Sequence, residues 1–332
     1  MKINIFLNQA TDFYEEKVSK IKMNKVTAVL WSIFKGLFLF GMCYVLLYPV
    51  MYMVSSAFRP VEQSYDPSVI WIPKSLTMAN IVEAYKTLDY LESFKNTMLV
   101  GMVSAIFQVI SCTLVGYGFA RFRFKGRGAL FTLVLLTLVV PMQTISVPMH
   151  IQMRDFDFFG IARILGFITG KDMTVNLIDS YWAFYLPTIF GMGLKSGLYI
   201  FVFRQFFRGL PKELEQAALI DGCGPLKTFR KVMLPNAIPA LLTVFLFTVV
   251  WQWNDYYTPA MFFSRNATLA TSMARFRSNI GVVTAGIDNW DPYVMTTRFQ
   301  AGCLLVIAPL IIGYMFTQKY FTESISRTGI VG

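Results

Sequence analysis

The sequence predicts an all-α integral membrane protein with six transmembrane helices. Three observations carry this: a composition too apolar for a soluble domain, six apolar runs of bilayer-spanning length, and an uneven share of cations between those runs. The 332 residues are 55% hydrophobic and 16% aromatic, with only 15% charged, which places the chain in a lipid solvent. A helix rising about 1.5 Å per residue needs about 20 apolar residues to cross a hydrocarbon core of about 30 Å. Residues 29–54, 96–120, 128–153, 180–203, 236–254 and 299–318 meet that requirement, and Lys35, His150 and Lys195 are the ionisable side chains of Lys, Arg, His, Asp and Glu type inside them.

Cations near span ends stay on the cytoplasmic side. With the N-terminus inside, 17 of the 30 Lys and Arg residues fall on inner segments and 10 on outer ones, while the acids run the other way, 7 inside against 12 outside. Both termini are therefore expected in the cytoplasm. The organisation that follows is a cytoplasmic arm over 1–28, a six-span body over 29–318 and a cytoplasmic tail over 319–332. Its large inner loop is 204–235 and its large outer loop 255–297. The short loop from Arg121 to Arg127, four cations without an anion, is the firmest topological anchor.

Several function classes are excluded or weakened. The net charge of +11 is scattered between greasy runs rather than gathered on a surface, so it does not describe a nucleic-acid binder. Cys43, Cys112, Cys223 and Cys303 are far apart and His150 is the sole histidine, which leaves no disulfide framework and no zinc or haem ligand set. The expected spans hold no Asp or Glu, whereas an ion-gradient-driven secondary transporter, the alternative kept in view, would want paired intramembrane carboxylates or inverted repeats. A membrane enzyme would place a His, Asp or metal cluster at a span edge, and the sequence shows none. Five prolines inside spans, at 141, 148, 187, 239 and 309, predict kinks.

The inner loop 204–235 reads as two short helices. Pro211 suits a first helical position, and Glu213 and Glu215 complement the positive end of the helix dipole. Leu214, Ala217 and Ala218 recur at i, i+3 and i+4 and share a face; Asp221-Gly222 and Gly224 stop the helix by turn chemistry. Pro225 opens a second helix with Leu226, Phe229 and Met233 on one side, halted by Pro235. Two readings fit. The loop is a docking plug whose small face admits another protein's backbone and whose Phe229 fills a pocket, or it is an amphipathic helix lying among headgroups.

The run GLPKELEQAALIDGCGPLKTFRKVMLPNAIPAL resembles the EAA loop of permease subunits in ABC importers. Ala217, Ala218, Asp221, Gly222, Leu234 and Pro235 match that pattern, while Gln216, preceded by Glu215, stands where the family usually has the first Glu. Flanking segments FVFRQFFRGLP, WQWNDYYTPAMFF and VVPMQTISVPMHIQMRDF resemble the carbohydrate-uptake branch, in particular the shorter of the two membrane subunits of a maltose-type importer. The resemblance implies a type I permease fold in the bacterial cytoplasmic membrane. It implies as partners a second, longer permease, two ATPase subunits or a homodimer of one, and an extracytoplasmic sugar-binding protein. Glu215, Gln216, Ala217, Ala218, Asp221, Gly222, Pro225 and Phe229 would form the ATPase-coupling site. ATP and Mg would sit on the partner subunits, with no cofactor on this chain, which has no phosphate-cradling Gly-x-x-x-x-Gly-Lys-Ser/Thr; Gly170-Lys171-Asp172 lacks both the earlier glycine and the hydroxyl.

The substrate path is less defined. Sugars are held by stacking and hydrogen bonds, and Trp251, Trp253, Asn254, Asp255 and Tyr256 offer both at the end of the fifth span. An aromatic belt at the membrane interface is the competing reading. Asn254 and Asp255 match the resembled family's own Asn-Asp, and the segment from Pro259 to Asp291 corresponds to one that reaches up into the binding protein. Lys195 falls mid-span after Pro187, Gly191 and Gly193. A cation at that depth faces a cavity as a rule and would suit an acidic sugar such as a uronate; snorkelling or pairing with the other permease are the alternatives. His150, beside Pro148, is a further candidate to line the route.

Overall fold

The computed structural model describes residues 25–69, 71–283 and 291–328. The cytoplasmic arm expected over 1–28 lies mostly outside the described residues, as do 329–332 of the tail. The fold is helical. Among the described residues the β structure amounts to one bridge between Phe156 and Val175.

Among the described residues, three continuous helices are long and apolar enough to cross a membrane. The first, α1 (Lys25–Ala57), lays its C-terminal end on the last helix and leaves Leu37, Phe38 and Phe40 exposed. After the short α2 (Ala79–Thr87) comes α3 (Tyr90–Arg121), which begins before the expected span and carries a π-turn at Leu99–Val103. The last, α15 (Pro292–Thr328), extends beyond 299–318 at both ends, so the end of the expected outer loop is helical.

Two of the other three expected spans, 128–153 and 180–203, are interrupted. Residues 128–153 form α4 (Arg127–Leu136) and α5 (Met142–Arg154), separated where Pro141 adopts extended backbone with ψ 139. After α6 (Ile161–Thr169), residues 180–203 form α7 (Trp182–Ile189) and α8 (Ser196–Gly209). They part at 190–195, where Gly191 and Lys195 take positive φ. The inner loop supplies α9 (Glu213–Ile220) and α10 (Pro225–Asn236). The second of these meets α11 (Ile238–Asn254) at a 73° bend. Three short helices in the expected outer loop, α12 (Tyr257–Phe262), α13 (Leu269–Ala274) and α14 (Phe276–Val283), lead to α15.

The core sits where α3 meets α8, with α10 and α11 closing it: Cys112, Tyr199, Phe203, Phe207, Met233, Ala237 and Val244 are buried together. Helices surrounded by lipid associate by close packing rather than by escape from water, so small residues collect at their contacts. Gly116 does this here, since a Cβ added to it would lie 2.6 Å from the Phe203 Cβ. Of the cysteines, Cys112 alone is fully buried, whereas Cys43 is exposed on α1.

Gly116→Ala is expected to force α3 and α8 apart at a cost of about 1–3 kcal/mol, as overpacking does. Gly118→Ala, whose Cβ would meet nothing within 4 Å, is expected to be neutral. The thermal unfolding midpoints of the two purified variants check the difference.

Candidate functional site

Helix α9 opens at Glu213, with Pro211 two positions ahead of it rather than at the first helical position, and carries Glu213 and Glu215 in its first turn. It ends as the sequence expects. Gly222 takes φ 75, open to glycine without strain, and the Cys223 N–H donates back to the Ala218 carbonyl at 2.9 Å. Pro225 occupies the first turn of α10.

Pro235 does not halt α10. The π-turn at Phe229–Met233 passes the Leu234 N–H to the Phe229 carbonyl, so the helix is already wound for wider hydrogen bonds when the proline arrives. The Asn236 side chain then donates to the Val232 carbonyl at 2.7 Å. The chain turns one residue later, at the buried Ala237.

Several side chains expected at a partner surface face inward instead. The Phe229 ring is buried, 4.7 Å from Tyr117 and 6.4 Å from Phe207, so it fills this chain's own core and cannot anchor in a partner's pocket. Met233 is buried beside it and Leu226 is 77% exposed, so the expected common face of Leu226, Phe229 and Met233 is divided. Ala218 is buried while Ala217 and Gln216 are exposed. Glu215 also turns inward. Its Oε1 accepts a hydrogen bond from the Tyr117 hydroxyl at 3.0 Å and its Oε2 lies 3.5 Å from Arg121 Nη1.

What remains outside is a tip made of Gln216, Ala217, Ile220 at 86% exposure, Asp221, Gly222 and Leu226. A groove continues past it, walled by Gly224, Pro225, Leu226, Lys227, Arg230 and Lys231.

The second candidate region is the interruption between α7 and α8. Breaking a helix in apolar surroundings frees carbonyls that need donors, and α3 supplies them. Gln108 Nε2 donates to the Leu194 carbonyl and to Ser196 Oγ, and Ser111 Oγ donates to the Thr188 carbonyl at 2.6 Å. Lys195 caps α8 with φ 61, and its ammonium sits 4.8 Å from the centre of the Trp251 ring. Both residues are exposed. Lys195 therefore lies at a helix break and not within a continuous span.

The remaining path candidates scatter. Trp253 is buried, donates its indole N–H to the Val306 carbonyl at 3.1 Å and packs edge-on against Phe94. This ties α11 to α15 and removes Trp253 from any route. Asn254 donates to Val250 in its own helix. Asp255 Oδ1 accepts from the Tyr257 and Thr258 N–H groups, which starts α12, while its Oδ2 is buried without a partner. Tyr256 is exposed. His150 Nδ1 lies 3.0 Å from the Met261 carbonyl, joining α5 to α12.

Residues 112–327 match the family described as binding-protein-dependent transport system inner membrane component. The chain belongs to that family. This inner membrane transport component is 27% identical over 294 residues to the arabinooligosaccharides transport system permease protein AraQ of Halalkalibacterium halodurans, covering 87% of this chain and 92% of that one. It is 26% identical over 293 residues to the polygalacturonan/rhamnogalacturonan transport system permease protein YtcP of Bacillus subtilis, covering 86% and 93%. Its fold is similar to that in the crystal structure of a bacterial ABC transporter involved in the import of the acidic polysaccharide alginate, with a TM-score of 0.61 at 19% identity over 90% of this chain and 98% of that chain. The type I permease fold is thereby shown, and the ion-gradient alternative is not favoured.

Sequence reading missed Tyr117, Arg121, Gln108 and Ser111. Tyr117 and Arg121 stand i, i+4 at the end of α3 and so share a face; Gln108 and Ser111 are polar intrusions in an apolar run. In the expected outer loop 154–179 it also missed Asp179. The Asp179 Oδ1 accepts from the backbone N–H groups of Arg265 at 3.0 Å and Ser264 at 2.6 Å, and Asp179 N–H donates to the Phe262 carbonyl at 2.9 Å. These bonds, the Arg265 N–H foremost, hold its carboxyl below the usual carboxylate value.

A depressed carboxylate stabilises the fold when ionised, fully so above its unfolded value of about 4, and the contribution is lost as pH falls through the lower folded value. Hydrogen exchange of the amides at 264 and 265 is accordingly expected to rise relative to neighbouring amides on acidification below about pH 4. In Asp179→Asn that rise should be absent.

Proposed function

We propose that this chain is one of two membrane subunits of an ATP-driven, binding-protein-dependent importer of an oligosaccharide. In this reading it crosses the membrane six times with both termini in the cytoplasm, α4 with α5 and α7 with α8 each forming one broken span. The loop 204–235 receives a cytoplasmic ATPase. Closure of the ATPase dimer then moves the spans between inward-open and outward-open states. The ATPase drives that change only to the extent that it binds one state more tightly than the other. Family membership supports the transport role, and the carbohydrate names of the relatives AraQ and YtcP support the substrate class.

The observation that carries the docking role is the division of the loop into a packed root and a bare tip. Phe229, Met233 and Ala218 are buried in the chain's own body while Ile220 and Leu226 stand 86% and 77% exposed. An exposed apolar pair on a cytoplasmic turn is a contact waiting for a partner. Ala217→Asp and Ile220→Asp are each expected to lower substrate-stimulated ATP hydrolysis and uptake at least ~10-fold by burying an unpaired charge at that contact. The permease should remain at its normal level in the membrane. Undiminished uptake in both variants would dismiss the docking role.

A second reading concerns the substrate. The Lys195 ammonium above the exposed Trp251 face, 4.8 Å from its centre, supplies a cation and a stacking surface side by side, the pair of groups that a sugar carrying a carboxylate would use. Placed at a break in the fourth span, they support a route for uronate-containing oligosaccharides. Lys195→Met is expected to reduce uptake of an oligogalacturonate at least ~10-fold, the size of one lost charge-assisted contact, and to spare a neutral arabino-oligosaccharide. Equal losses for both sugars would assign Lys195 to packing against the other permease.

A further inference from the structure

Glu215 is the one acidic side chain of α9 whose two carboxylate oxygens are both engaged within the chain, and its partners belong to a different helix. The side chain is only 20% exposed and that of Arg121 only 7%. A carboxylate that merely favoured the helix dipole would stay in water; a buried one needs a partner. Oε1 accepts from the Tyr117 hydroxyl at 3.0 Å and Oε2 faces Arg121 Nη1 at 3.5 Å. The other guanidinium nitrogen, Nη2, donates to the Leu210 carbonyl at 2.7 Å, just past the end of α8. One cation at the end of α3 therefore fastens both the end of α8 and the start of α9. The Tyr117 ring completes the joint, with Phe207 of α8 at 5.3 Å and Phe229 of α10 at 4.7 Å.

We propose that Glu215, Arg121 and Tyr117 form a strut that transmits movement of the cytoplasmic loop into α3. Glu215 then acts within this chain as a positioning residue and makes no contact with the ATPase. The proposal rests on the reading of the loop tip as the ATPase's docking site. Helix α3 is the element to which such movement matters most, because Gln108 and Ser111 on the same helix hold the carbonyls of Leu194 and Thr188 at the break in the fourth span. From Tyr117 to Gln108 is about 14 Å along an α-helix. A displacement of α9 that keeps its carboxylate paired must carry the end of α3 with it, and α3 in turn carries its donors at the break. Removing the charge leaves the tip intact and loosens the joint behind it.

The test uses the complete complex, purified from membranes with its partner subunits and reconstituted in vesicles, with uptake, ATP hydrolysis and subunit composition measured together. Wild type retaining no ATPase subunit would defeat the docking reading itself, before any variant is compared. Given that wild type is coupled, Glu215→Gln is expected to keep its ATPase subunits and go on hydrolysing ATP, while sugar moved per ATP falls at least ~10-fold, within the usual range of coupling between sites. The exchanged pair Glu215→Arg with Arg121→Glu is expected to recover a substantial part of that ratio, which a purely structural defect would not do. Loss of the ATPase from the Glu215→Gln complex, an unchanged ratio, or no recovery in the exchanged pair would each overturn the proposal. Should the Glu215→Gln chain itself fail to fold and reach the membrane, Tyr117→Phe removes one hydroxyl from the same carboxylate. A lowered ratio at normal assembly supports the strut, and an unchanged ratio overturns it.

Discussion

A backbone carbonyl released inside hydrocarbon has no water to turn to, and this fold is arranged around meeting that demand at one place. Between Ile189 and Ser196 the chain leaves helical geometry, with Gly191 and Lys195 at positive φ. Gln108 of α3 meets the Leu194 carbonyl, and Ser111 joins the Gly191 N–H on the Thr188 carbonyl. That requirement fixes which face of α3 turns toward α7 and α8 and makes a polar stripe necessary in an otherwise apolar helix. It also permits the close crossing at Gly116, because two helices joined by side-chain hydrogen bonds at one level can pack backbone to backbone one or two turns away. Much of the buried core follows from that pairing: Tyr199, Phe203 and Phe207 of α8 are covered by α10 and α11 on the flank that α3 leaves open.

The same helix serves both regions to which the proposed transport function assigns a role. At its C-terminal end it receives Glu215 from α9; near its middle it supports the break that carries Lys195. A membrane protein that must change shape without exposing backbone to lipid benefits from moving a helix whose hydrogen bonds are already satisfied, and α3 is continuous except for the π-turn at Leu99–Val103. Such turns insert one residue into a helix without breaking it and are frequent at functional sites. A second one, at Phe229–Met233, lies in α10 directly after the loop tip.

The sequence made the fold class, the apolar runs and the turn after α9 legible, because each has a local cause: length, hydropathy, and a glycine where only positive φ serves. It also pointed to the weakness around Pro187, Gly191 and Gly193. Other features have no local signature. The break between α4 and α5 lies in the run LLTLVVP, apolar but for Thr137 up to Pro141, so nothing distinguished a kink from an interruption. Trp251 and Trp253 are two residues apart and therefore point about 200° away from each other on a helix. Periodicity requires that at most one of them face the core and cannot say which; the carbonyl of Val306, 53 residues later, decides it. Arg121 reads as a topological anchor because its partner is 94 positions away in a different loop. Phe229 reads as an external anchor for the same reason, its pocket being assembled from Tyr117 and Phe207.

The bend at Ala237 gives the molecule a crank. Its short arm, Pro225–Asn236, is about 18 Å long, and its long arm, the 17 residues of Ile238–Asn254, is about 25 Å at the rise of an α-helix. The arms meet at 73°, with Ala237 enclosed at the corner as a bearing. A sideways push on the short arm emerges at the far end of the other as a sweep amplified roughly in proportion to arm length, about 1.4-fold. Trp251, one turn from that far end, would travel furthest of the aromatic side chains on the long arm that are open to the surface.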